Sequence, residues 1–174
     1  GLNVGMLRNK VLTWQEEVIG SSPLLYHNID ADVSVVVPVY NSEKFIEKAI
    51  ISLCNQTLKK MEFIFVDDCS PDSLSKIIRN YAHYDKRIRL IHNKKNSGPG
   101  PSRNAGIEAA NGEYVAFLDP DDWVNPEFYE ALYKKATNST KGKYDIAKGQ
   151  LVRVLKDGAL KYEPNNWGDY IGHG

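Results

Sequence analysis

The chain has 174 residues, 42% hydrophobic and 25% charged, the make-up of one ordinary globular domain with a sizeable core. Lysine plus arginine and aspartate plus glutamate both total 22, so no global field attracts nucleic acid or an anionic bilayer, and electrostatic recognition has to be local. Two cysteines, Cys54 and Cys69, are too few for a disulfide scaffold and lack zinc-site spacing, so both are read as reduced thiols, Cys54 as a packing residue.

Residues 1–31 come first and differ from the rest. Leu7, Val11, Trp14 and Val18 recur along one helical face up to Gly20, followed by a Ser21-Ser22-Pro23 break. This N-terminal helical extension is expected to pack on its own domain or on a second copy of the chain, a route to a homo-oligomer. A membrane-surface role is disfavoured because its charged residues are not predominantly basic.

From Asp32 onward short apolar runs alternate with amphipathic segments, the βαβα pattern of an α/β fold with a mostly parallel sheet flanked by helices. Val33–Val37 is the first strand. Ser42 is expected to cap a helix with Glu43 in its first turn and Phe45, Ile46, Ala49, Ile50 and Leu53 on its apolar face. Met61–Val66 is the second strand, ending at Asp67-Asp68. Ser70 and Pro71 open a helix with Leu74, Ile77, Ile78 and Tyr81 on one side. A third strand, Ile88–His92, runs into a loop containing Gly98-Pro99-Gly100-Pro101. A helix from Ser102 to about Ala110 follows, stopped by Asn111-Gly112. The apolar run Tyr114–Leu118 then delivers Asp119-Pro120-Asp121-Asp122, and Asn125-Pro126-Glu127 begins another helix. Tyr144–Leu155 and Ala159–Tyr162 read as a strand pair turning at Lys156-Asp157-Gly158. No apolar stretch reaches membrane-span length and no leader opens the chain, so the expected location is cytoplasmic, with peripheral attachment at the inner face of a membrane left open.

Ligands of open α/β sheets bind beyond the carboxyl ends of the strands. Three features fall at that edge: Pro38-Val39-Tyr40-Asn41, Asp67-Asp68 and the aspartate cluster. Carboxylates gathered at a strand end repel one another unless a cation or a set of donors compensates them. Mg²⁺ or Mn²⁺ suits such oxygen ligands and keeps positions for substrate phosphate, which makes Asp121 and Asp122 the candidate metal residues. Capping of a nearby turn is the plain alternative for Asp119 and Asp122. Asp68 offers an acceptor for a base N–H such as that of uracil, and Tyr40 a face for stacking. Arg103, behind the glycine- and proline-rich loop, can reach a diphosphate, with the helix N-terminus adding donors. The four histidines, His27, His83, His92 and His173, form no ligand spacing, and no serine sits in a nucleophile elbow.

In these segments, together with Ser52–Thr57, Arg103-Asn104-Ala105-Gly106 and Gly112–Asp122, the sequence resembles the family 2 glycosyltransferases of GT-A fold over about residues 32–155, their nucleotide-sugar-binding half. The resemblance implies an inverting, metal-dependent glycosyltransferase. It would move a sugar from a nucleotide-diphosphate sugar, a UDP-sugar foremost, to a saccharide or lipid-linked hydroxyl acceptor in cell-surface polysaccharide or glycolipid synthesis. It implies nucleotide-sugar contacts at Pro38, Tyr40, Asn41, Glu43, Asp68, Arg103, Asp119 and Asp121, and a metal motif at Asp121 and Asp122. The family's catalytic base lies in a later segment that residues 32–174 are expected to lack; Asp169 is the one late carboxylate offered for it. Pro120 and the stiff Gly98–Pro101 loop depart from the family pattern. A non-catalytic nucleotide-sugar-binding or partner-docking module is the competing reading, whereas a sugar-nucleotide pyrophosphorylase would need a glycine-rich phosphate loop after the first strand.

Overall fold

The computed structural model describes residues 5–8, 29–138, 140, 142–149, 152–154 and 160–162. Its strands in chain order are β1 (Gly5–Arg8), β2 (Val33–Val39), β3 (Met61–Asp67), β4 (Ile88–His92), β5 (Tyr114–Phe117), β6 (Ile146–Lys148), β7 (Val152–Val154) and β8 (Leu160–Tyr162). Its helices are α1 (Ile46–Cys54), α2 (Leu74–Tyr84), α3 (Pro99–Glu108) and α4 (Phe128–Thr137).

Six strands form one sheet in the order β4-β3-β2-β5-β1-β6, in which β2, β3, β4 and β5 are mutually parallel. Every residue of β2 and β3 is buried, as expected of central strands covered on both faces. Val35, Val37, Val39, Phe63 and Phe65 pack with the apolar residues of α1, α2 and α4. Val36, Ile64, Val66 and Val115 form a thinner layer with Ala105 and Ile107 of α3 on the other face.

The chain steps from β2 to β3 to β4 and then returns to the opposite side of β2 as β5. The strand order therefore reverses between β2 and β5, and such a reversal is where open sheets place their ligand crevice. Of the three sequence features at this edge, the exit of β2 and the aspartate cluster after β5 flank that point directly.

Residues 5–8 correct the helical reading of the N-terminus at its first position. They form β1, antiparallel to both β5 and β6, with Leu7 opposite Val115 and Met6 fully buried. The free edge of β5 presents unpaired backbone groups, and a ladder on that edge with Met6 in the core outweighs a weak helical period. Val11, Trp14 and Val18 lie outside the described residues. Of the expected C-terminal pair, β6 joins the main sheet while β7 and β8 pair antiparallel; the Lys156-Asp157-Gly158 turn is outside the described residues.

Helix starts also differ from expectation. The Ser42 hydroxyl caps nothing; it is buried without a partner, and its carbonyl instead accepts the Phe45 and Ile46 amides. Phe45 precedes α1 and is exposed rather than part of its apolar face. α2 begins at Leu74, after Ser70 has turned to accept the Asn41 amide. α3 begins three residues earlier than Ser102, with Pro99 in its first turn. α4 begins at Phe128, after Asn125 has used its carbonyl to hold the Phe128 amide.

α3 lies close on the sheet because Gly106 carries no side chain. A Cβ there would stand 2.2 Å from Val36 Cγ1. Gly106→Val is therefore expected to lower the unfolding free energy by ~2–3 kcal/mol through overpacking, read as a lower denaturant midpoint with an unchanged slope.

Candidate donor site at the carboxyl edge of the sheet

At the exit of β2, Pro38 is buried and its nitrogen faces β5, whose pairing with β2 has already ended at Phe117. The missing amide therefore costs no ladder bond. Tyr40, after Val39, is half exposed, its ring open to stacking on a planar group. Asn41 takes a left-handed backbone, φ 47°, which asparagine tolerates well, and its amide donates to Ser70 Oγ at 3.2 Å. The Glu43 amide donates to Asp72 Oδ2 at 3.1 Å and its carboxylate accepts the Ser73 amide at 2.9 Å, so the loops after β2 and β3 are tied reciprocally. Glu43 thus braces the rim here.

Asp67 and Asp68 serve different ends. Asp67 accepts from the Ser70 amide and the Ser75 hydroxyl, and His92 Nδ1 lies 3.3 Å away. His92 Nε2 faces the Arg79 guanidinium, which can only donate, so Nδ1 carries the ring proton. Asp68 turns the other way. Its carboxylate accepts Asn93 Nδ2 at 2.7 Å, the shared Ser97 amide at 3.0 Å and the Gly98 amide at 2.7 Å. Burial pushes its pKa up, but the donors from Asn93, Ser97, Gly98 and Ser102 outweigh that and hold it below the usual range. In this arrangement the carboxylate orders the loop before α3.

A depressed folded pKa stabilises above the unfolded value near 4, and the benefit is lost as pH falls through the folded value. Asp68→Asn should cost ~1.5–3 kcal/mol at pH 7, the worth of hydrogen bonds to a charged acceptor. The gap from the parent chain should narrow when denaturant unfolding is repeated near pH 3.

The same geometry limits what the N-terminus of α3 offers an anion. Pro99 and Pro101 have no amide hydrogen, and the Ser97 and Gly98 amides point at Asp68. Gly100 supplies the one amide of the first turn that remains, so a diphosphate here depends on Arg103. That side chain donates to Asp119 Oδ1 at 2.9 Å, and its Nε is buried with no partner.

Asp119 to Asp122 form a turn closed by the Asp122 amide on the Asp119 carbonyl at 3.0 Å, with Pro120 at the corner that favours it. Asp121 is exposed and engages no partner among the described residues. The Asp122 pKa is raised, first by burial and then by the negative charges of Asp121 and Asp119. Among the described residues no three His, Cys, Asp or Glu side chains are already gathered as a metal cage. The donor set nevertheless fits a hard divalent cation: carboxylate oxygens in mutual repulsion, one exposed and one held above its ordinary pKa, beside a turn that leaves positions for substrate oxygens.

Behind the turn lie Ser52 and Gln56, which the sequence offered within the Ser52–Thr57 segment of the family resemblance but without a role, and Lys48, which it did not single out. Gln56 is buried, and it donates to the Asn125 carbonyl at 2.8 Å and accepts the Tyr129 amide at 3.2 Å. Ser52 Oγ receives the Val124 amide, and the Lys48 ammonium sits 3.1 Å from the centre of the Trp123 ring. The spacing of four between Lys48 and Ser52 of α1 and Gln56 just past its end was the available signal. Both cysteines are free. The Cys54 thiol is pushed up to about 11 by burial and by Asp85, while Cys69 Sγ donates to the Asn93 carbonyl. Asp169, His27 and His173 lie outside the described residues, and no described helix is long and apolar enough to cross a membrane.

Known proteins resemble this chain in sequence and in fold. The family model described as Glycosyl transferase family 2 matches residues 34–171. A poly(ribitol-phosphate) beta-glucosyltransferase of Bacillus spizizenii is 41% identical over 132 residues, covering 74% of this chain and 20% of that protein. The crystal structure of S. aureus TarS 1-349 in complex with UDP-GlcNAc superposes with a TM-score of 0.57 at 36% identity, over 60% of this chain and 32% of that one. A mannosyltransferase from Pyrobaculum calidifontis, in complex with GDP-Man and Mn²⁺, does so with a TM-score of 0.51 at 27% identity, over 53% and 28%. The matched part of the chain spans 13–40% of the length of its curated relatives.

Proposed function

The chain belongs to glycosyl transferase family 2 and has the GT-A fold, and from that premise we propose that it holds a nucleotide-diphosphate sugar, a UDP-sugar foremost, for inverting transfer to a hydroxyl of a cell-surface polysaccharide or glycolipid. The observation that carries the reading is the placement of Tyr40, after β2, and of the Asp119–Asp122 turn with its Arg103 partner, after β5, on the two sides of the strand-order reversal. Relatives named for teichuronic acid biosynthesis and for poly(ribitol-phosphate) support the polymer as the acceptor class.

Tyr40 stacks on the base. Asn41 and Glu43 keep the β2 rim in place beneath it, and Asp68 fixes the loop that closes the base side. Arg103 passes from Asp119 to the diphosphate, where its unpartnered Nε gains an acceptor; Asp119 is then free to meet the ribose. Asp121 and Asp122 would hold Mn²⁺ or Mg²⁺, which when bound supplies positive charge beside the departing diphosphate. In the transfer the acceptor oxygen bonds to the anomeric carbon as the bond from that carbon to the diphosphate oxygen breaks. The acceptor proton passes to a carboxylate, for which Asp169 is the candidate from sequence.

Calorimetric titration of UDP into the chain with and without Mn²⁺, alongside GDP and dTDP, tests the proposal. Binding that tightens with Mn²⁺ and prefers UDP is the expected result. A preference for GDP or dTDP would overturn the choice of base; a folded chain that binds none of them with metal would overturn the donor site in favour of a docking module.

A further inference from the structure

We infer that Gln56 is a positioning residue for the Asp121–Asp122 pair, acting through a line of contacts from the back of α1; the inference rests on the donor-site reading above. The aspartate turn is electrostatically unfavourable to itself, since it gathers the carboxylates of Asp119, Asp121 and Asp122 within four residues closed by the Asp122 amide on the Asp119 carbonyl. Something has to stop the carboxylates from moving apart. On the strand side the turn is held by the Leu118 amide on the Val36 carbonyl and by Arg103 on Asp119.

On the exit side the restraint comes from α1 and the residues just after it. Lys48, Ser52 and Gln56 are spaced by four and meet successive parts of the segment leaving the turn: the Trp123 ring, the Val124 amide, and the Asn125 carbonyl with the Tyr129 amide. Thr57 extends the line, its amide and hydroxyl both directed at the Pro126 carbonyl and the hydroxyl also at Glu130. Gln56 is the fixed point. Its second N–H donates to the Ser52 carbonyl at 3.0 Å, so both ends of its amide are engaged and the side chain has one orientation. The Asn125 carbonyl it holds lies three residues beyond Asp122. Partners that touch ligating groups directly set metal affinity by about 10–100-fold, and Gln56 acts one step further out, by fixing the backbone that leaves Asp122.

Two variants separate positioning from simple stability. Gln56→Met keeps length and apolar bulk while deleting the hydrogen bonds, and Ser52→Ala deletes the acceptor of the Val124 amide. Each is titrated with UDP in the absence and presence of Mn²⁺, and hydrogen exchange is followed at the Val124 and Tyr129 amides. The Mn²⁺-dependent gain in UDP affinity should fall about 10-fold in Gln56→Met and by less in Ser52→Ala. UDP affinity without metal should stay the same, and the two amides should exchange faster. An unchanged gain in folded Gln56→Met overturns the inference, and Ser52→Ala decides in the same way if Gln56→Met does not fold. Equal weakening with and without metal also overturns it, since that is what a purely structural role produces. A parent chain showing no Mn²⁺-dependent gain removes the donor-site reading, and this role with it.

Discussion

Asp121→Asn/Asp122→Asn is expected to abolish the Mn²⁺-dependent part of UDP binding, about a 100-fold loss or ~2.8 kcal/mol, while leaving the metal-free protein as stable as the parent or more so. The two effects have opposite sign for one reason. The folded pKa of Asp122 is raised, so its ionised form disfavours the fold; stability present at low pH is lost as pH rises through the usual carboxylate range to the folded value. An asparagine carries no charge at any pH and removes that penalty. Melting curves at pH 7 provide the check. Mn²⁺ at about 100 times its dissociation constant should stabilise the parent by ~2.7 kcal/mol, a rise of roughly 5–10 °C, and should not move the double variant. A double variant that melts well below the parent without metal would show that the carboxylates are structural.

Glu62→Ala is expected to cost ~3–5 kcal/mol, more than any surface substitution in the domain. Glu62 is fully buried, and its carboxylate receives the Ser34 hydroxyl and Arg89 NH1, each at 2.6 Å, and both the amide and the side chain of Asn111. Arg89 in turn donates to the Ala109 carbonyl, and the Gly112 amide donates to Ser34 Oγ. The network therefore staples the end of α3 and the entry to β5 onto the sheet. Truncation strands the Arg89 guanidinium in a nearly closed space. A fall in melting temperature of roughly 10 °C is expected, and Glu62→Met with Arg89→Met together should lose less than Glu62→Ala, because no charge is then left unpaired.

Much of the candidate site was legible in the sequence because its ingredients are local. An apolar run followed at once by Asp119, Asp121 and Asp122 places carboxylates at a strand end whatever the rest of the chain does, and so does Val33–Val37 followed by Tyr40 and Asn41. What remained hidden were choices between partners far apart in sequence. The Asp68 carboxylate meets amides 29 and 30 residues away, partners that no local pattern names. Gln56 stood in the sequence only as part of the Ser52–Thr57 segment of the family resemblance, but its bonds reach 69 and 73 residues onward. Glu62 gave no signal, since a single acid inside an apolar strand does not announce what will neutralise it.

The same division holds for the fold. Hydrophobic period and turn residues by themselves determined the alternating strands and helices, the parallel sheet and the edge at which chemistry gathers, because burial of a repeating apolar face is settled within each segment. Tertiary structure alone decided that residues 5–8 leave their helical period to become β1, that strand order reverses between β2 and β5, and which polar groups spend their hydrogen-bonding capacity internally. A buried donor or acceptor must be paired, and its partner is whichever group the packed layers bring within about 3 Å.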